Sequence, residues 1–172
     1  LQDFFKFMRT DKRFEYASED ELLAHYRGLE GKINRRIPEQ FSLIPKAGFE
    51  IRPVEAYRAK SAAGGSYMAP SEDGSRPGIF YVNTYDLKSR PKYSMQAIYL
   101  HEAEPGHHFQ LAIQQELTGL PAFRRFGGYT AYTEGWGLYA ESLGRELGLY
   151  TDAYDYVGAL SNKIGHDGSF NT

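Results

Sequence analysis

Pro105, set between His101 and the pair His107-His108, restricts the fold of this chain more than any other residue. The sequence reads as helix on both sides of it. Ser94 can cap a run that carries Met95, Ala97, Ile98 and Tyr99 into His101 and Glu102, and helical spacing resumes beyond it as far as Leu117. Proline lacks the amide donor that a helix interior needs and drives the preceding residue, Glu104, away from helical geometry. It suits the first turn of a new helix, so the expectation is a kink at 103–106 and a second helix from Pro105 to about Leu117. Thr118-Gly119, with Pro121 beyond, supplies the stop. Three of the five histidines and two glutamates thus lie within His101-Glu102-Ala103-Glu104-Pro105-Gly106-His107-His108. Neutral imidazole is the commonest metal ligand, and a carboxylate directly after a histidine is the usual place for a general base beside zinc, so the cluster is a candidate metal site. On an unbroken helix His108 would share the face of His101 but sit roughly 10 Å further along the axis, while His107 would point away. A kink changes both rotation and rise, so spacing leaves His107 and His108 as alternatives.

Composition narrows the chemistry. With no cysteine among 172 residues, any metal must take His, Asp or Glu. Twenty basic against 22 acidic residues, a net charge of -2 without a long basic run, leave no electrostatic footprint for nucleic acid. No stretch reaches the ~18 apolar residues of a membrane span. A hydrophobic fraction of 41% supports one compact domain over residues 1–172. The opening Leu1-Gln2-Asp3-Phe4-Phe5-Lys6 lacks both an initiating methionine and a signal-peptide pattern, which suggests a piece of a longer protein.

The remaining elements follow from periodicity. Residues 1–17 read as a short helix or extended arm. Ser18 with Glu21 forms a capping box ahead of Leu22, Leu23, Tyr26, Leu29 and Ile33, predicting a helix over about 18–36, with His25 off its apolar stripe and outside the site. Phe49 to Val54 alternates as a half-buried strand, with Pro53 indicating an edge, and Gly78 to Thr84 is a second strand, expected to pair with it antiparallel. Residues 58–77 read as loop because of Gly64-Gly65-Ser66 and Pro70 to Ser75. A turn or short helix is expected at 121–128, and Tyr154, Val157 and Leu160 predict a further short helix before a polar end at 165–172.

A helix over about 130–147 carries the second informative stretch, Thr133-Glu134-Gly135-Trp136-Gly137-Leu138-Tyr139-Ala140-Glu141. Glu134, Leu138, Glu141 and Arg145 share a face; Glu141 either pairs with Arg145 at the surface or steadies a ligand histidine. Two glycines inside a helix cost roughly 1 kcal/mol each and are expected where another backbone approaches closely. A catalytic zinc takes three protein ligands, and the sequence can supply His101, one of His107 or His108, and Glu134, with Glu102 as the proton-transferring base. Tyr129, Tyr132 and Tyr139 are candidates for polarising a substrate carbonyl. Glu104-Pro-Gly-His107 has the Glu-x-x-His spacing of a di-iron bundle, but a second such motif is absent and Pro-Gly is wrong for a continuous bundle helix.

The pair of segments His101 to Gln110 and Glu134 to Glu141 resembles the paired signatures of a bacterial family known as domain of unknown function 885, grouped with zinc metallopeptidases of the gluzincin type. The Glu134-Gly135-Trp136 segment is similar to the Asn-Glu-Gly-Phe-Ala segment of aminopeptidase-N-like enzymes, and Gly106-His107-His108-Phe109 is similar to the Gly-His-Ala-Leu of oligopeptidases. What the resemblance implies is a mainly helical α+β fold of zincin type with a small antiparallel strand pair. It also implies zinc held by His101, His107 and Glu134, Glu102 as the catalytic base and His108 as a catalytic, substrate-contacting or ligand-supporting group. Gly65-Ser66-Tyr67-Met68 and Phe80 to Thr84 would then correspond to the strand that pairs with an extended substrate. The implied reaction is hydrolysis of a peptide or related amide by a metal-activated water. The family favours a periplasmic or secreted location, including a lipoprotein. Its members run to several hundred residues, and Asn162 to Gly168 departs from their pattern. That departure keeps a second expectation in play, a non-catalytic metal-binding or structural fragment.

Overall fold

The computed structural model describes residues 1–169, with side chains described through Ile164. The fold is mainly helical around a small three-stranded sheet. Helix α1 spans Gln2–Thr10, α2 Glu19–Ile33, and α3 is a single turn at Ile37–Gln40. Strand β1 (Phe49–Pro53) is followed by a short α4 (Ala56–Ala59), β2 (Gly65–Met68) and β3 (Gly78–Val82). Then come α5 (Met95–Glu102), α6 (His107–Glu116), α7 (Ala122–Phe126), α8 (Thr130–Ser142) and α9 (Ala153–Ser169).

Helix α2 starts where its capping box sets it. The Ser18 hydroxyl accepts from the Glu21 amide at 3.1 Å, and the Glu21 carboxylate accepts from the Ala17 amide at 2.7 Å, one residue before the cap. Its apolar stripe, Leu22, Tyr26, Leu29 and Ile33, is buried against Phe80, Val82, Tyr99 and Leu100, so the core lies between α2, the sheet and α5. His25 lies off that stripe, half-buried, and its ring bonds the hydroxyl of Tyr16 at the border of the core.

The sheet departs from expectation. Its order is β1-β3-β2: β1 pairs with β3 in parallel, Phe49 opposite Gly78, and β2 pairs with β3 antiparallel, Gly65 opposite Val82. The expected antiparallel pair of Phe49–Val54 with Gly78–Thr84 is therefore corrected. A direct return is not made, because the chain first crosses through α4 and lays β2 on the far edge, and parallel neighbours need such a crossover. The stretch at 58–77 contains that strand because Gly65, depleted in strands by propensity, is needed for space. A Cβ there would lie 2.8 Å from Ile98 Cγ2 and 3.2 Å from the Phe80 ring. Pro53 does sit on an edge strand. Strand β3 is central and buried along its whole length, and β2, not β3, is the edge that faces the α5–α6 junction.

That junction also differs in detail. Helix α5 ends at Glu102, residues 103–106 turn, with a cis bond at Glu104–Pro105, and α6 begins at His107 rather than at Pro105. Gly106 is packed onto the end of α5, where an added Cβ would run into the carbonyl oxygens of Leu100 and His101. Gly106→Ala is accordingly expected to destabilise the fold by about 2 kcal/mol or more, because the obstacle is backbone and cannot rotate away. Chemical denaturation checks this; a midpoint equal to the wild type would contradict it. The last helix runs to Ser169 in place of a short helix with a polar end, so 165–169 are helical backbone, while residues 170–172 of that predicted end lie outside the described residues.

Candidate metal centre

Three elements meet at one point. The break at 103–106 lets α6 leave α5 in a new direction, and it brings the rings of His101 and His107 to 4.6 Å between centroids, nearly perpendicular at 83°. Helix α8 crosses behind them and carries Glu134. His101 Nε2 lies 3.2 Å from Glu134 Oε2, and His107 Nε2 lies 3.7 Å from Glu134 Oε1. One donor atom from each of His101, His107 and Glu134 lies within 4.8 Å of the others, the only such group of metal-ligating side chains among the described residues. Of the alternatives left by spacing, His107 is the histidine that faces His101.

The His101 ring is fixed from behind. Its Nδ1–H donates to Glu141 Oε1 at 2.7 Å, so in the neutral ring the Nε2 lone pair faces Glu134. Glu141 is only 6% exposed, and the surface pairing with Arg145 gives way to this role; the Arg145 guanidinium instead lies 4.1 Å over the Tyr156 ring. Burial disfavours charge on His101, but the bond to Glu141 and the Glu102, Glu141 and Glu134 carboxylates around it leave its pKa above the ordinary value. Gly137 makes room for the ring: a Cβ there would lie 2.6 Å from His101 Cε1 and Nε2. Close approach at a helical glycine is thus realised, but by a side chain, and only at Gly137; Gly135 faces open space.

Glu141→Gln keeps the shape and removes the charge behind His101. The expected result is a 10- to 100-fold loss of zinc affinity, the usual size for a hydrogen-bond partner behind a ligand. Competition with a fluorescent chelator measures it, and an unchanged affinity would argue against any supporting role for Glu141.

Glu102 follows His101 at the last turn of α5 and lines the same cavity of about 540 Å³ as His101, His107 and Glu134. Burial pushes its carboxyl up to about 7, with Glu134 and Glu141 adding to the rise and His101 opposing it. The far wall of the cavity is the edge strand β2 and the residues just before it, Ala63 to Tyr67. Trp136 ties the assembly together, its indole N–H donating to the Pro105 carbonyl at 2.7 Å, so α8 is anchored to the turn that separates the two histidines.

Other candidates lie elsewhere. His108 is 1% exposed, outside the cavity lining, with Nδ1 at 2.8 Å from the Tyr67 hydroxyl. Tyr129, Tyr132 and Tyr139 are all more than half exposed and do not line the cavity. The tyrosine that does is Tyr67, which the sequence singles out only through the resemblance of Gly65-Ser66-Tyr67-Met68 to a substrate-pairing strand. Glu104 is half-buried and lies outside the His101, His107 and Glu134 group, its carboxyl raised to about 7 first by burial and then by Glu30.

Two histidines on successive helices and a carboxylate from a third define the class of site, a mixed nitrogen and oxygen donor group of the kind that could hold zinc or a similar divalent ion. The chain belongs to the family described as bacterial protein of unknown function (DUF885), whose model matches residues 1–165. Among solved structures it is similar to "the crystal structure of the putative lipoprotein from Colwellia psychrerythraea", at 34% identity and a TM-score of 0.90. That match covers 94% of this chain and 28% of the other, so the chain spans little more than a quarter of its relative's length. No curated protein matches it. Among the described residues no helix is long and apolar enough to cross a membrane.

Proposed function

We propose that this chain carries the metal-binding centre of a zinc-dependent hydrolase of zincin type, related to the gluzincins, that cleaves a peptide or related amide bond. The observation that carries the reading is the convergence of His101, His107 and Glu134 on one point, with Glu102 beside it and Glu141 steadying the ligand ring from behind. The donor set fits the ion: two imidazoles and a carboxylate are the protein ligands of known catalytic zinc sites, and the cradle left by Gly137 admits the His101 ring in that position. Zinc held there would supply Lewis acidity, polarising a carbonyl and making water a better nucleophile at neutral pH.

The chain's own residues account for the rest. Glu102, with a carboxyl near 7, is suited both to take a proton from water and to return one to the departing amine at neutral pH. His101 and His107 would offer imidazole nitrogens to the ion and Glu134 a carboxylate oxygen. The edge strand β2 forms the opposite wall, where an extended substrate would lie. The name of the Colwellia relative supports an exported, lipid-anchored parent protein, and osmotic-shock fractionation with lipid labelling would test that location.

A pool of internally quenched fluorogenic peptides tests the activity, using the protein before and after treatment with a chelator. Hydrolysis that is lost with the chelator and returns with added zinc is the expected result. Equal background from treated and untreated protein would overturn the hydrolase reading and favour a binding or structural role.

A further inference from the structure

Tyr67 and His108 form a pair whose hydrogen bonds run in one direction. Burial holds the His108 ring neutral, and the one contact that opposes this, with the backbone of Ala47, is of the kind in which a ring N–H donates to the Ala47 carbonyl. A neutral imidazole has one N–H, and with it given to Ala47 the Nδ1 lone pair is left to accept from the Tyr67 hydroxyl at 2.8 Å. The Tyr67 proton is thereby committed to His108, and the phenol oxygen keeps its own acceptor capacity. Space for this arrangement is built into β3. Gly78 lies against the pair, and a Cβ there would run into the Tyr67 hydroxyl and lie 3.0 Å from His108 Nδ1. His108 is further held by the Phe49 ring at 4.7 Å between centroids.

Tyr67 sits on the edge strand and lines the cavity that contains His101, Glu102, His107 and Glu134, whereas His108 stays behind it. We propose that Tyr67 is a substrate-contacting residue that accepts a hydrogen bond from an N–H of the bound peptide or amide, and that His108 is the positioning residue that turns the phenol into an acceptor. The proposal rests on the hydrolase reading above and adds a specificity to it: an amide N–H in the ligand is read by Tyr67, so a ligand with an ester at that place should bind less well.

The probes are dipeptide hydroxamates in which each backbone amide is replaced in turn by an ester, which removes the N–H and keeps the shape. Their dissociation constants are measured by calorimetry on zinc-loaded wild-type protein, Tyr67→Phe, His108→Leu and His108→Gln, with zinc uptake and thermal midpoint recorded for each. For one position the wild type should prefer the amide by about fivefold, the size of a neutral hydrogen bond. Tyr67→Phe should bring the two ligands to equal affinity, His108→Leu should do nearly the same, and His108→Gln, which retains an acceptor, should keep more of the preference. A structural role alone would weaken both ligands together. Zinc uptake with the amide preference intact in Tyr67→Phe, or with no hydroxamate binding by the wild type, would overturn this proposal alone. Absence of zinc uptake by the wild type would overturn the metal reading and this proposal with it.

Discussion

Replacing Glu102 by glutamine is expected to lower amide hydrolysis by about 10²- to 10⁴-fold, the range that a positioned general acid–base contributes, while leaving zinc affinity unchanged. The separation of the two effects follows from placement. Glu102 shares the cavity with the ligand group but is not among the three donors that converge. Glutamine keeps the size of the side chain and can still form hydrogen bonds, so the fold should tolerate it; what is lost is the carboxyl that burial holds near 7, where it can both accept and release a proton at neutral pH. Turnover against the quenched peptide pool, with zinc content measured on the same samples, gives both readouts. Equal turnover by wild type and Glu102→Gln would remove the proton-transfer role.

The second large effect concerns the ligands. His107→Ala is expected to weaken zinc binding by roughly 10² to 10³, since apparent zinc-site energies of ~10–16 kcal/mol shared over four ligands put about 2.5–4 kcal/mol on each. His108→Leu, one residue further on, should leave zinc affinity near the wild-type value, because His108 points to Tyr67 and Ala47 rather than to His101. Chelator competition on the two variants side by side is the measurement. A larger loss in His108→Leu than in His107→Ala would reverse the assignment of the second ligand.

The helices of the site were legible in the sequence because their signals are local. A capping box fixed the start of α2, Pro105-Gly106 announced the interruption between α5 and α6, and glycine at 137 signalled a close approach that proved to be the His101 ring. Glu134 could be found because it lies on a recognisable segment of α8. The parts that were not legible depend on distant neighbours. Strand direction is set by what the chain does between Val54 and Gly64, and periodicity within β1 and β3 carries no information about it. Strand β2 was hidden from local patterning, because Gly64-Gly65-Ser66 has turn chemistry, and only the resemblance pointed to a strand at Gly65 to Met68; the reason for Gly65 is the Ile98 and Phe80 side chains packed against it. The choice between His107 and His108 turns on the local path at 103–106, where the second helix starts two residues later than the proline rule suggests. Tyr67 was marked by the resemblance of its segment alone; its place beside His108 depends on Gly78, 11 positions away, whose missing side chain gives it room.

The central claim is that His101, His107 and Glu134 hold one divalent ion, and the most direct test is diffraction from zinc-loaded crystals recorded on both sides of the zinc absorption edge. The account predicts one anomalous peak at about 2.0–2.2 Å from His101 Nε2, His107 Nε2 and a Glu134 oxygen, with Glu102 nearby but not coordinating. A peak at His108 or Glu104, or no peak among these residues, would contradict it.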